Sequence, residues 1–114
     1  MHMRISIADE DLWVELDDSS AAKDFASLLP MTLTLDDYAS TEKVSDLPRR
    51  LNTEGAPRGY QPSAGDITYY APWGNLAIFY KDFGYSNGLV RLGHIAGPLT
   101  AFTRNKSVRA DFSL

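Results

Sequence analysis

Cysteine is absent from the 114-residue sequence, which excludes disulfide bonds, thiolate nucleophiles and cysteine-based zinc sites. No apolar run approaches the roughly 20 residues that a helix needs to cross a bilayer. The first residues also lack the apolar core of a signal peptide. Together these absences predict a cytoplasmic protein. Because an alternating segment begins at Met3, we expect Met1 and His2 to be a cloning remnant.

Positive charge is scarce as well, since 11 Lys and Arg residues face 15 Asp and Glu residues and give a net charge of −4. Long-range repulsion opposes binding to nucleic acid or to an anionic membrane, so we expect neither as a partner. His2 and His94 are remote from each other and no clustered ligand spacing exists, so no metal is expected. No glycine-rich phosphate loop and no G-x-S-x-G elbow is present, so no cofactor and no nucleophile are predicted.

What the sequence does contain is the composition of a folded protein, with 44% hydrophobic and 23% charged residues. Its length predicts a single domain over residues 1–114. Alternation of apolar and polar residues predicts several short strands, and the spacing of Ala22, Phe25 and Leu29 predicts one amphipathic helix before Pro30. Gly97-Pro98 predicts a second short helical turn. Many short strands with little helix indicate a mainly β sandwich or barrel.

The strongest local signal lies in residues 65–80. Two β-rich runs flank a turn in which Pro72 and Gly74 suit a hairpin. Both faces of this hairpin are apolar or aromatic, so we expect it to be central and buried on both sides. The preceding residues, 48–65, have no periodicity and predict a long loop of the kind that is often functional or mobile.

Several short motifs carry a resemblance to a known family. They are Thr41-Glu42-Lys43, Leu47-Pro48-Arg49, Gly65 to Tyr70, Pro72 to Tyr80 and Leu92-Gly93. These motifs resemble a group of small bacterial proteins that have a cyclophilin-like fold and are largely uncharacterised. The resemblance covers about residues 3–95, with a looser fit in the tail. It implies a closed eight-stranded barrel with one or two short helices packed on its ends.

The resemblance implies architecture more than activity. True cyclophilins are prolyl isomerases with a Phe-x-Arg-type strand motif and a set of Gln, aromatic and His residues. This sequence has no Phe-His-Arg segment and no matching series, so no catalytic residue is carried over. Fold alone does not define function.

A candidate ligand site combines aromatic, basic and acidic residues. The aromatic members either line an amphipathic pocket or pack in the hydrophobic core. A Trp at the tip of a turn is expected at the rim of such a pocket. The basic member, Arg50, either binds an anion or belongs to a solvated loop. A carboxylate performs acid–base work only where burial or a neighbour shifts its pKa. The candidates are Trp73, Tyr70, Tyr80, Phe83, Arg50 and Glu42.

Two further polar residues have structural expectations. Asp66, at a strand entry after Gly65, is expected to accept hydrogen bonds from backbone N–H groups of the turn. His94 is expected to be buried and hydrogen-bonded, on the same strand face as Val90 and Leu92.

Three functions are compatible with these features. The leading hypothesis is a binding protein for a small molecule or an extended peptide, without isomerase activity. The first alternative is a divergent peptidyl-prolyl isomerase, because isomerisation needs only an apolar proline pocket and a donor that polarises the amide. The second alternative is a structural or oligomer-forming module, for which a homodimer is a common state.

Overall fold

The structure is a computed structural model that describes all 114 residues. Ten strands and two short helices follow one another along the chain. They are β1 (His2–Ile7), β2 (Glu10–Leu16), α1 (Ser20–Ala26), β3 (Met31–Tyr38), β4 (Glu42–Asp46), β5 (Gly59–Tyr60), β6 (Asp66–Tyr70), β7 (Asn75–Phe79), β8 (Ser86–Asn87), β9 (Leu89–Ala96), α2 (Thr100–Thr103) and β10 (Ser107–Ser113).

Eight of the strands form a closed antiparallel barrel in the order β1-β10-β3-β4-β7-β6-β9-β2, and β5 and β8 pair in a separate ribbon. The eight-stranded barrel implied by the family resemblance is therefore confirmed. The C-terminal strand β10 closes it, because it pairs with β1 on one side and β3 on the other. Closure leaves no exposed edge among the eight barrel strands.

The barrel interior is the main hydrophobic core, and strand alternation fills it. In β1, Met3, Ile5 and Ile7 are buried while their neighbours face outward. Helix α1 adds Phe25, whose ring meets Phe112 edge to face at 6.2 Å. The helix is shorter than its predicted range and ends at residue 26. Neither helix is long and apolar enough to cross a membrane.

The β6–β7 hairpin is buried on both faces, as predicted. Ile67 and Ile78 belong to the interior core. The alternate residues Ala77 and Phe79 form a second cluster on the outside of the barrel wall together with Leu89. Tyr60 and Tyr70 pack against this outer cluster. The barrel wall at this point therefore separates two apolar layers.

The expectation that His94 shares a face with Val90 and Leu92 is wrong. A β-bulge interrupts the pairing of β6 with β9, so that Ile67 opposes Gly93 while the next residue, Thr68, opposes Arg91. One extra residue on β9 reverses the alternation beyond it. His94 consequently lies on the outer face, opposite Glu15, and its side chain is 43% exposed.

The predicted long loop between β4 and β6 contains only the two-residue strand β5. A charged contact holds the first part of this loop against helix α1. Arg49 donates two hydrogen bonds, of 2.9 and 2.8 Å, to the Asp24 carboxylate of α1. This contact and the Asn52 N–H lower the pKa of Asp24 to about 2. Arg49 and Arg50 bond to different elements, so the two arginines do not form a joint anion clamp.

Candidate functional site

A cleft of about 450 Å³ lies on the outer face of β4, β6 and β7, beside the outer apolar cluster. We call it the aromatic cleft. Four of the six candidate residues line it, namely Trp73, Tyr70, Phe83 and Glu42. Tyr38 and Asn75 also line it.

Strand register places an acid between two aromatic rings in this cleft. Glu42 at the start of β4 opposes Tyr38 of β3 and, on its other side, Phe79 of β7. Side chains that oppose each other across antiparallel strands share a face, with Cβ atoms about 5 Å apart. The three residues therefore form one row across the outer wall, with the carboxylate in the middle.

The turn between β6 and β7 positions Trp73 over the same row. Gly74 takes the left-handed φ of +69° that the turn requires, and its N–H donates to the Tyr70 carbonyl at 2.9 Å. The Trp73 ring stands nearly perpendicular to the rings of Tyr38 and Tyr70, with centroids 6.0 and 5.3 Å away. Trp73 is 61% exposed and occupies the rim of the cleft, which agrees with its predicted position at a turn tip.

The opposite wall of the cleft is a second aromatic pair. Phe83 stacks on Phe79 with ring centroids 6.2 Å apart and an interplanar angle of 27°. Phe79 is buried in the barrel wall, whereas Phe83 is half-exposed on the segment after β7. The cleft thus has an aromatic wall on each side of Glu42.

The structure does not bring Arg50 and Tyr80 into the cleft. The Arg50 guanidinium donates to the Ala71 carbonyl at 2.7 Å, so it fastens the turn that carries Trp73. The Tyr80 hydroxyl donates to the Asp37 carboxylate. Burial and the bond to Asp37 raise the pKa of Tyr80 to about 12. Adjacent strand residues point to opposite faces, which is why Tyr80 leaves the row that Phe79 joins.

Two polar groups of the aromatic cleft have no partner within the protein. Burial raises the pKa of the Glu42 carboxyl to about 7, and no other cause contributes to this shift. The side-chain oxygen of Asn75 is buried and accepts no hydrogen bond. No Lys, Arg or His lines the cleft. The aromatic cleft therefore holds an acid with no basic side chain beside it and an amide oxygen with no donor.

Tyr38 and Asn75 were not among the predicted site residues. Each is the last or first residue of a strand, and neither has an unusual local pattern. The signal that could have found Tyr38 is pairing across the tight β3–β4 turn, which sets it opposite Glu42.

A second polar cluster lies on the outer wall near the β6–β9 bulge. Asp66 accepts hydrogen bonds from the Ser63 N–H at 2.8 Å and the Tyr60 hydroxyl at 2.7 Å, and its other oxygen is 2.7 Å from His94 Nδ1. Burial favours the neutral acid, but these hydrogen bonds outweigh it and lower the pKa of Asp66. The predicted role of Asp66 as a turn acceptor is confirmed. The structure contains no group of three or more His, Asp or Glu side chains placed to hold a metal ion.

The barrel order and the two short helices define the class of this chain as a small antiparallel β-barrel protein. The sequence matches the Cyclophilin-like family over residues 5–113, and the chain belongs to that family. The match includes β10, beyond the segment that carried the resemblance. A bacterial source stays a prediction.

One solved structure extends this comparison to the Archaea. The solution structure of a hypothetical protein from Archaeoglobus fulgidus is similar to this chain, with 15% identity and a TM-score of 0.67. The similarity covers 99% of this chain and 93% of that one. At this identity the likeness shows the fold alone. No curated protein matches the sequence.

Proposed function

We propose that this protein is a binding protein whose aromatic cleft takes up a small organic molecule or a short extended peptide. The observation that carries the proposal is the combination of exposed aromatic walls with unpartnered polar groups in one concave site. A volume of about 450 Å³ lies within the usual range for a small-molecule pocket.

The energetics of the free protein also favour a ligand. Trp73, Phe83 and Tyr38 are all exposed large aromatic residues, and they are grouped around one opening. Exposed apolar groups clustered in this way commonly mark binding sites. An unpartnered buried carbonyl costs free energy that a ligand or water recovers. In a barrel wall that binds nothing, both features would lower the stability of the protein without serving a function.

The test is a thermal-shift and NMR screen of amphipathic metabolites and short peptides against wild type and Trp73→Ala. We expect at least one ligand to raise Tm, and Trp73→Ala to weaken its binding about tenfold or more. Trp13→Ala is the matched control, because Trp13 is also exposed but β2 lies opposite β4 in the closed barrel. A screen without stabilisation at millimolar ligand, or equal losses in both variants, would contradict the proposal.

Wild type and Trp73→Ala also test the two alternative functions, a prolyl isomerase and an oligomer-forming module. A prolyl isomerase would accelerate isomerisation of a Pro-containing peptide, with the acceleration lost in Trp73→Ala. The donor would have to come from the side chains that line the aromatic cleft, such as the Tyr38 and Tyr70 hydroxyls, the Trp73 indole N–H and the Asn75 amide, since Arg50 is bonded outside it. An oligomer-forming module would sediment as a dimer in wild type and as a monomer in Trp73→Ala.

A further inference from the structure

We propose that the aromatic cleft selects an organic cation, meaning an alkylated ammonium group on an apolar body, with the Glu42 carboxylate as its counter-ion. This inference rests on the proposed binding function. It adds to that function the chemical class of the ligand.

The first support is the geometry around Glu42. The carboxylate lies in a row between Tyr38 and Phe79, and further rings stand over both ends of that row. The faces of aromatic rings carry partial negative charge and attract cations, most strongly when water is excluded. A carboxylate among exposed aromatic rings suits both parts of an alkylammonium ion, because the charge can pair with Glu42 while the methyl groups contact the rings of Tyr38, Trp73 and Phe83. A neutral or anionic ligand would gain no charge attraction from Glu42.

The second support is the absence of any cation from the protein around Glu42. Its neighbour Lys43 points into the barrel, where Nζ donates to the carbonyls of Asn105 and Lys106 and lies 3.4 Å from Asp37. After β7, Lys81 lies 6.0 Å from the Tyr80 ring centroid and does not line the cleft.

The titratable groups nearest Glu42 bring no positive charge. Tyr38 and Tyr70 line the same cleft, and Tyr80 lies just beyond Phe79. The Glu42 charge contributes to the raised pKa of Tyr80. The Asp37 carboxylate already accepts a hydrogen bond from the Tyr80 hydroxyl and pairs with the Lys43 ammonium. The protein carries a net charge of −4, so long-range attraction also favours cations.

Proton linkage gives the proposal a signature. With a pKa of about 7, Glu42 is largely protonated at pH 6 and largely ionised at pH 8. Only the ionised carboxylate pairs with a cation, so the affinity for a permanently charged ligand should rise roughly tenfold from pH 6 to pH 8. A neutral ligand of the same shape should show no such rise.

The experiment uses a matched pair of probes, choline and its uncharged isostere 3,3-dimethyl-1-butanol, with benzyltrimethylammonium as a larger cation. Binding is measured by NMR titration at pH 6 and pH 8. We expect wild type to prefer the cations, with the preference growing about tenfold at the higher pH. Glu42→Gln should lose both the preference and its pH dependence while it keeps its affinity for the isostere. Glu54→Gln, which removes an exposed acid outside this cleft, should behave as wild type.

The outcomes separate this inference from the proposed function. If the isostere binds as tightly as choline, or if Glu42→Gln binds cations as wild type does, the cation proposal is wrong and the binding function stands. The same conclusion follows if neither cation binds at millimolar concentration while the general screen finds another ligand that depends on Trp73. If no ligand of any charge depends on Trp73, both fail. A short peptide carrying trimethyl-lysine, titrated beside choline, shows whether the cation is bound free or on a peptide.

Discussion

Glu42 should make the protein less stable as the pH rises from about 4.5 to 7, and Glu42→Gln should remove that loss. Burial raises the pKa of Glu42 from its ordinary 4.5 to about 7 in the folded protein. In the unfolded chain the carboxyl regains the ordinary value. Between these two values the folded state therefore binds more protons than the unfolded state. The slope of the free energy of unfolding with pH is proportional to the number of protons bound by the unfolded state minus the number bound by the folded state. That difference is negative here, so stability falls as the pH increases.

The magnitude follows from the two pKa values. One pKa unit corresponds to about 1.4 kcal/mol, so the whole shift converts to a loss of about 3 kcal/mol before solvent screening is considered. Solvent still reaches part of the Glu42 side chain and screens its charge, which reduces the expected loss to about 1–2 kcal/mol. The loss is absent below about pH 4, develops between about pH 4.5 and 7, and is complete by about pH 8.

The assay is urea unfolding of wild type and Glu42→Gln at pH 5 and pH 8. We expect the variant to gain about 1–2 kcal/mol on wild type between the two values, because all other titrating groups are common to both proteins. Glu54→Gln controls for the loss of a charge and should follow wild type. A Glu42→Gln difference that is the same at both pH values would refute the assignment of a buried, unpartnered carboxylate.

Two further predictions concern the frame of the cleft. Lys43→Met should lower the free energy of unfolding by about 1–3 kcal/mol in urea, because it removes a buried ammonium that donates to the Asn105 and Lys106 carbonyls and pairs with Asp37. Lys23→Met, which loses only an exposed pair with Asp18, should cost less than about 1 kcal/mol. Gly88→Ala should lower Tm and weaken ligand binding, because its Cβ would lie 2.7 Å from Pro72 at a φ of +83° and push the Trp73 turn. Gly55→Ala has a similar φ of +79° without any neighbour within 4 Å, so it should cost only the backbone strain, about 1 kcal/mol.

Each pair of variants has an outcome that contradicts its reasoning. Equal costs for Lys43→Met and Lys23→Met would mean that the buried ammonium contributes no more than a surface pair. Equal effects of Gly88→Ala and Gly55→Ala, on both Tm and ligand affinity, would mean that contact with Pro72 does not position the Trp73 turn.

Several strands of the fold were predictable because one face is buried in the barrel and the other is exposed, which gives alternating apolar and polar residues. In β1 every second residue faces the core, and such a pattern is legible without a structure. The hairpin of β6 and β7 was predictable for a different reason, since apolar residues on both faces indicate two-sided burial. The choice of a barrel over a sandwich came from family resemblance, because both architectures give the same local pattern.

The arrangement of the cleft was only partly predictable, because it depends on pairing between distant strands. Trp73 was placed correctly from its turn, which is a local feature. The neighbours of Glu42 depend on the register of β3, β4 and β7, which no single segment encodes. The orientation of His94 depends on one bulge in β9, which the sequence signals only weakly, through Gly93 within the strand and the apolar Ile95 after His94. Arg50 was assigned to a ligand because its partner, the Ala71 carbonyl, is a backbone group that sequence does not display.

The burial that destabilises the free protein at neutral pH is the same burial that would make the cleft selective for cations. Glu42 loses hydration and receives no protein cation in return, so its ionised form is the less favourable one in the empty site. A bound ammonium ion would reverse that balance, because it supplies the charge that the cleft lacks and its attraction is weakly screened between aromatic walls. A group that costs stability and serves binding is the usual form of a stability–function trade-off. Glu42→Gln should accordingly be more stable than wild type at pH 8 and lose the cation preference there. If the variant gained stability but kept the preference, burial of the acid and ligand selection would have separate causes.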